Sequence, residues 1–362
     1  MGILRLLLAL AIVVAHTPEW VPVRFPGNFC VQIFFAISGF YMCFILSKKN
    51  SYQNPLRFWL NRFLRLYPSY LFILLFTIAV SVLYLLTGQA QSYTTLNLVH
   101  YLQYFEQLSI AQTMLIGFAN LTMMFQDLFM FFGINLKDGG FYFTNNYWDT
   151  DPMIWQFLLI PQAWSISLEI MFYALSPLLI RLETRWLYFL LWTSFSLRFV
   201  LAYHGLNEDP FNYRLLPLEI STFLAGFIAC KKIYFCYPKY KLDAAFEFFV
   251  INTIPVLWIA YWVGIKTSIS LMLTIICSCI LPFLFAKTKT SKYDRQLGNL
   301  SYPIYINHLI MIPISMTILN SLGANKNFLI FVVLTLSITM ALIMIKYIEE
   351  PIEKIRQKIA GV

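Results

Sequence analysis

The chain of 362 residues is 59% hydrophobic and 12% charged, with a net charge of +9 and a mean hydropathy of +0.68. Apolar content at that level over the full length excludes an ordinary soluble domain and implies a series of membrane spans in one polytopic domain, residues 1–362. The basic residues fall in short clusters between apolar runs, which argues for loops facing anionic lipid rather than for a nucleic-acid surface.

In chain order, apolar runs of spanning length or nearly so occupy 3–18, 29–47, 68–87, 163–181, 186–203, 213–230, 246–265, 268–286, 300–321 and 327–347. The first run is read as a span rather than a cleaved leader, because the next apolar run follows within a dozen residues. Basic clusters follow the second run (Lys48, Lys49, Arg57, Arg62, Arg65), the run at 163–181 (Arg181, Arg185), the run ending at 230 (Lys231, Lys232, Lys239, Lys241) and the run ending at 286 (Lys287, Lys289, Lys292, Arg295). Lys354, Arg356 and Lys358 close the chain, whereas the opposite loops hold Arg24, Lys137, Arg214, Lys266 and Lys326. The positive-inside rule then predicts an all-α bundle of about ten transmembrane helices with both termini cytoplasmic. That count requires the ambiguous stretch 108–133 to stay on the outer side as a re-entrant or surface-lying helix. An eleventh span there is the alternative.

Arg5 and His16 stand at opposite ends of the first run. Eleven residues of helix are about three turns, so both side chains share one face about 16 Å apart. Ionisable groups inside a membrane are costly and are retained for a pathway, a relay or a site. Arg62 and Arg65, three apart, add charge on the cytoplasmic side; guanidinium forks suit phosphate, although taken alone the pair reads first as a plain orientation signal. Glu169 lies about 9 Å inside the span that opens at Trp164, on one face with Ser165. A buried carboxylate there must be neutral, paired or water-exposed in a cavity; a structural arginine is one candidate partner and His16, at similar depth, another. Ser301, Tyr305 and His308 form a polar stripe in the ninth span, in which His308 reads first as a satisfied core residue and Tyr305 as a cavity-lining one. Ser38 and Gly39 are a small pair that lets helix backbones approach. The six cysteines and four histidines show no metal spacing, and no disulfide framework or bound metal is expected.

These fragments are similar to the acyltransferase-3 family of integral membrane O-acyltransferases. The resemblance runs through LRLLLALAIVVAH (4–16), FFAISGF (34–40), RFLRLYPSY (62–70), WSISLEIMFY (164–173), FLAGFIA (223–229), LGNLSYPIYINHL (297–309) and IEEP (348–351). Seven short fragments in one order are far more specific than any alone. Ile170 and Met171 depart from the family's pattern, which often has a second acid and a glutamine there.

The resemblance implies a membrane O-acyltransferase that moves an acyl group, most simply acetyl, from cytoplasmic acyl-CoA to a hydroxyl of a cell-surface or lipid-linked glycan. It implies a multi-pass protein of the cell membrane with acyl-CoA as a passing substrate and no resident cofactor. By motif position, His16 and Glu169 are the expected catalytic pair, and Arg5, Arg62 and Arg65 bind the donor. Ser38, Trp164, Ser165, Ser301, Tyr305 and His308 are expected to line the cavity. The rival reading is an exporter of a glycan or lipid intermediate, which would use the same intramembrane charges as a pathway.

Overall fold

A computed structural model of the chain is about 80% helical and describes residues 1–17, 27–48, 54–89, 98–104, 106–236, 241–263 and 265–360. Arg24, Lys49 and Lys239 lie outside the described residues. The helices are α1 (Gly2–His16), α2 (Gly27–Leu46), α3 (Pro55–Leu86), α4 (Leu98–Tyr104) and α5 (Ile110–Thr122). After a hairpin of β1 (Phe132–Ile134) and β2 (Phe141–Phe143) come α6 (Trp164–Leu179), α7 (Thr184–Tyr203), α8 (Leu216–Ile228), α9 (Lys241–Val263) and α10 (Ile265–Thr288). The chain ends with α11 (Lys292–Asn299), α12 (Ser301–Ser321), α13 (Leu329–Met344) and α14 (Glu350–Ala360). Among the described residues six stretches are long and apolar enough to cross a membrane: Gly27–Leu46, Pro55–Leu86, Thr184–Tyr203, Leu271–Thr288, Lys292–Ser321 and Lys326–Ile359. The protein is a multi-pass membrane protein.

The stretch 108–133 is not one long helix. Ser109 caps α5 in a reciprocal capping box with Gln112, and α5 stops after 13 residues at Met123, which adopts φ +63°. A 3₁₀ turn at Leu128–Phe131 and the hairpin follow. Side-chain amides anchor this segment to the bundle. Asn120 donates to the carbonyl of Phe157 at 2.9 Å and accepts from the Leu159 amide at 2.7 Å, and Gln126 donates to the Tyr70 hydroxyl at 3.1 Å. Ser167 on α6 donates to Asp127 at 2.6 Å.

Close backbone approach organises the centre. Gly39 on α2 and Gly226 on α8 face each other's helices: a Cβ on Gly39 would lie 1.9 Å from the Phe223 carbonyl oxygen, and one on Gly226 1.8 Å from that of Ala36. In lipid no hydrophobic force drives helices together, so small residues that let backbones touch supply the packing. Aromatic rings extend the contact, with Phe223 stacked on Phe35 at 4.4 Å and on Phe172 of α6 at 4.3 Å between centroids. A buried ion pair lies about two turns along α8 from this crossing. Arg198 of α7 donates to Glu219 of α8 at 2.7 Å, and Gln32 of α2 and Thr222 donate to the same carboxylate. The shared partners offset the cost of burying two charges.

The register of α1 is set by its first turn. Asp294 of α11 accepts from the Gly2 amide at 2.8 Å and the Ile3 amide at 3.0 Å, satisfying amides that a helix start leaves unpaired. Because α11 runs into α12 through Leu300, this cap fixes α1 lengthwise against α12. Ala9 and Val13 then pack with Ile304, Ile310 and Met311. Arg5 and His16 are thereby placed opposite chosen turns of α12.

Candidate active site

Two cavities among the described residues share a wall. The first, of about 190 Å³, is lined by Arg5 of α1, Ser38 and Tyr41 of α2, Arg62 and Arg65 of α3, Ser165, Glu169 and Tyr173 of α6, and Ser301, Tyr302 and Tyr305 of α12. The second, of about 720 Å³, is lined by His16, Asn28, Tyr147, Trp148, Trp155, Gln162, Trp164, Tyr213, Arg214 and Tyr305, among others. Val31 and Tyr305 line both. The residues of α1 and α12 sort in the same order: Arg5 goes with Ser301 and Tyr302, and His16 with Leu309 and Ile312. The two helices therefore run parallel, while α6 runs against them.

Tyr305 is held where the cavities meet. Its hydroxyl lies 2.6 Å from the Ser165 hydroxyl and donates to the Gln162 carbonyl at 2.9 Å. Gln162 in turn donates to the carbonyl of Ile306 at 2.7 Å, which pins the start of α6 to α12.

The first cavity carries an excess of positive charge, with three arginines and one carboxylate in its lining. Arg65 pairs with Glu349 at 3.1 Å, and Ser69 donates to the same carboxylate; Glu349 belongs to the IEEP fragment at the start of α14. Arg62 donates to Asn61 at 2.6 Å, and its buried Nε has no hydrogen-bond partner among the described residues. Arg5 is half-buried within electrostatic reach of Arg65, Glu169, Tyr41 and Tyr173. Forked donors of this kind in a partly buried cavity suit a phosphate-bearing ligand.

Glu169 accepts hydrogen bonds from Ser38 and from Tyr173 one turn along its own helix. It does not partner His16, which corrects the pairing expected from depth. Ser165 is level with Tyr305; Glu169 lies one turn beyond it on one side and His308 one turn beyond on the other. The two sites are thus about 10 Å apart along the helices. Depth counted from helix ends failed because the end of α1 and the start of α6 lie at different levels.

His16 is the last residue of α1, and its side chain is exposed to the larger cavity. Its Nδ1 lies 2.9 Å from the Ile12 carbonyl oxygen and 3.3 Å from Nε2 of His308. The two rings are 5.0 Å apart between centroids. His308 itself is fully buried and lines neither cavity, a second correction: its Nδ1 lies 2.6 Å from the Tyr305 carbonyl oxygen, and it sits behind His16. Across the cavity Arg214 is clamped by Asp209 at 2.6 Å and lies over the Trp164 ring at 4.4 Å.

Sequence reasoning passed over Tyr41 and Tyr302, ordinary aromatics in apolar helices, and Gln162, which precedes its span. Arg214 did stand out as one of five basic residues on the sparse side of the chain.

The acyltransferase domain model of the acyltransferase-3 family matches residues 1–348, nearly the whole chain. The chain belongs to the acyltransferase-3 family. Family membership makes this protein a membrane acyltransferase and sets the exporter reading aside. An uncharacterized protein of Aquifex aeolicus (strain VF5) is 28% identical to this acyltransferase over 215 residues, covering 57% of this chain and 92% of that protein. No solved structure matches it.

Proposed function

We propose that this acyltransferase moves an acetyl or similar short acyl group from cytoplasmic acyl-CoA to a hydroxyl of a glycan on the far side of the membrane. The reading is carried by the shared wall at Tyr305: an arginine-lined cavity on one side and an accessible histidine on the other, along one helix. Arg5, Arg62 and Arg65 receive the phosphates, and the pantetheine arm covers the roughly 16 Å of α1 that separate Arg5 from His16. Glu169 positions Ser38 and Tyr173 in the donor cavity. The acceptor lies among Trp148, Trp155, Trp164 and Tyr213, whose faces and edges suit a sugar ring.

In the reaction, Nε2 of His16 takes the proton of the acceptor hydroxyl as its oxygen attacks the thioester carbonyl. The tetrahedral intermediate expels the thiolate, the C–S bond breaks, and the His16 proton passes to sulfur. The products are the glycan ester and free CoA. No metal and no resident cofactor enter these steps.

The purified protein, given acetyl-CoA and a lipid-linked glycan, is expected to release free thiol in step with ester formation. Arg5→Lys keeps the charge and loses the fork, so KM for the donor should rise about tenfold or more, with a smaller change in kcat. No thioester cleavage by the wild type with any glycan acceptor refutes the function, and an unchanged KM in Arg5→Lys refutes the donor site.

We further propose ten spans with both termini cytoplasmic in the cell membrane. A cysteine replacing Asp138 should be labelled by an impermeant reagent on intact cells, and one replacing Lys289 only after lysis. Labelling of both from outside would overturn the arrangement.

A further inference from the structure

The contact between His16 and His308 has a direction that the carbonyl oxygens decide. A carbonyl only accepts, so the ring nitrogen beside each one carries the proton. Nδ1 of His308, at 2.6 Å from the Tyr305 carbonyl, is therefore a donor, and its neutral ring presents a bare lone pair at Nε2. Nδ1 of His16, at 2.9 Å from the Ile12 carbonyl, is likewise a donor. The two facts fit together: the Nδ1 proton of His16 is shared between Ile12 and the Nε2 lone pair of His308, 3.3 Å away. A doubly protonated His308 would aim its Nε2 proton at that of His16. Burial at 0% exposure holds the ring in this setting.

We infer that His308 is a positioning residue for the proposed reaction, fixing His16 in the tautomer that leaves Nε2 bare toward the larger cavity. The inference rests on the reading of His16 as the base. When His16 takes the acceptor proton on Nε2, its Nδ1–H still points at two acceptors, and the imidazolium is stabilised without any proton passing to His308. An aspartate fills this place in serine hydrolases. Here a neutral imidazole, anchored to backbone, does so in a membrane interior where a carboxylate would be costly.

The test compares His308→Leu, His308→Asn and His308→Gln in purified protein, at equal amounts of folded material, with acetyl-CoA and a glycan acceptor. Glutamine sets an amide oxygen near the Nε2 position, whereas asparagine reaches only the Nδ1 position. The leucine and asparagine variants are expected to lose about 10²-fold in kcat at unchanged donor KM, and glutamine should recover most of that loss. Leucine within twofold of wild type, glutamine no better than leucine, or a donor KM that moves with kcat would each overturn the assignment. His16→Ala run alongside separates the two readings. If it stays active, the reading of His16 as the base falls and the positioning role with it; if it is dead while His308→Leu is normal, only the positioning role falls.

Discussion

Replacing His16 by alanine is expected to abolish acyl transfer while leaving the protein folded in the membrane. The side chain is exposed to a cavity of about 720 Å³ instead of being packed in a core, so its removal opens no void in the bundle. Its contacts, one carbonyl within its own helix and the Nε2 of His308, contribute little to holding α1 in place. That task belongs to the Asp294 cap and the Ala9–Val13 surface. Loss of a general base typically costs 10²–10⁴-fold in rate. The measurement is ester formed per folded molecule, with the elution profile in detergent as the control for folding. Wild-type transfer by His16→Ala would remove the base from the mechanism.

The second large effect is structural. Gly39→Val and Gly226→Val are each expected to destabilise the bundle by at least about 3 kcal/mol. In both, the first added carbon falls within 2 Å of a carbonyl oxygen on the facing helix, and neither backbone is free to yield. Separating α2 from α8 would also unstack Phe223 from Phe35 and draw Gln32 away from Glu219. Gly117→Ala is the matched control. It lies inside α5 with open space around it, and alanine there should gain up to about 1 kcal/mol from helix propensity. Thermal stability in detergent reads all three variants. A Tm for Gly39→Val equal to wild type would show that the crossing tolerates a wider spacing.

The hydropathy runs locate most of the long helices because apolar length is what a bilayer demands. They miss what lies beyond the apolar part. Helix α3 begins at Pro55, thirteen residues before its apolar run, because Asn54 caps it and Pro55 suits the first turn. The polar face with Arg62 and Arg65 is part of that helix, which is why the two arginines reach the cavity. The stretch 108–133 looked continuous since hydropathy is blind to the positive φ angles at Met123 and Phe125. At the site, Arg5 and His16 were legible from spacing within one helix. The partner of His16 was not, because lateral neighbours depend on how α1 docks on α12, and that is fixed by a cap nearly 300 positions away in the chain.

The shared wall at Tyr305 also has an electrical consequence. In the proposed orientation the two polar cavities approach from opposite faces, and the membrane voltage falls mainly across the thin septum between them. Carrying one elementary charge through 100 mV takes about 2.3 kcal/mol. In the proposed exchange an acyl group crosses outward as a proton crosses inward, and the donor's phosphates never leave the arginines. The net charge moved through the septum in that exchange is zero, so turnover is expected to be uncoupled from the membrane potential.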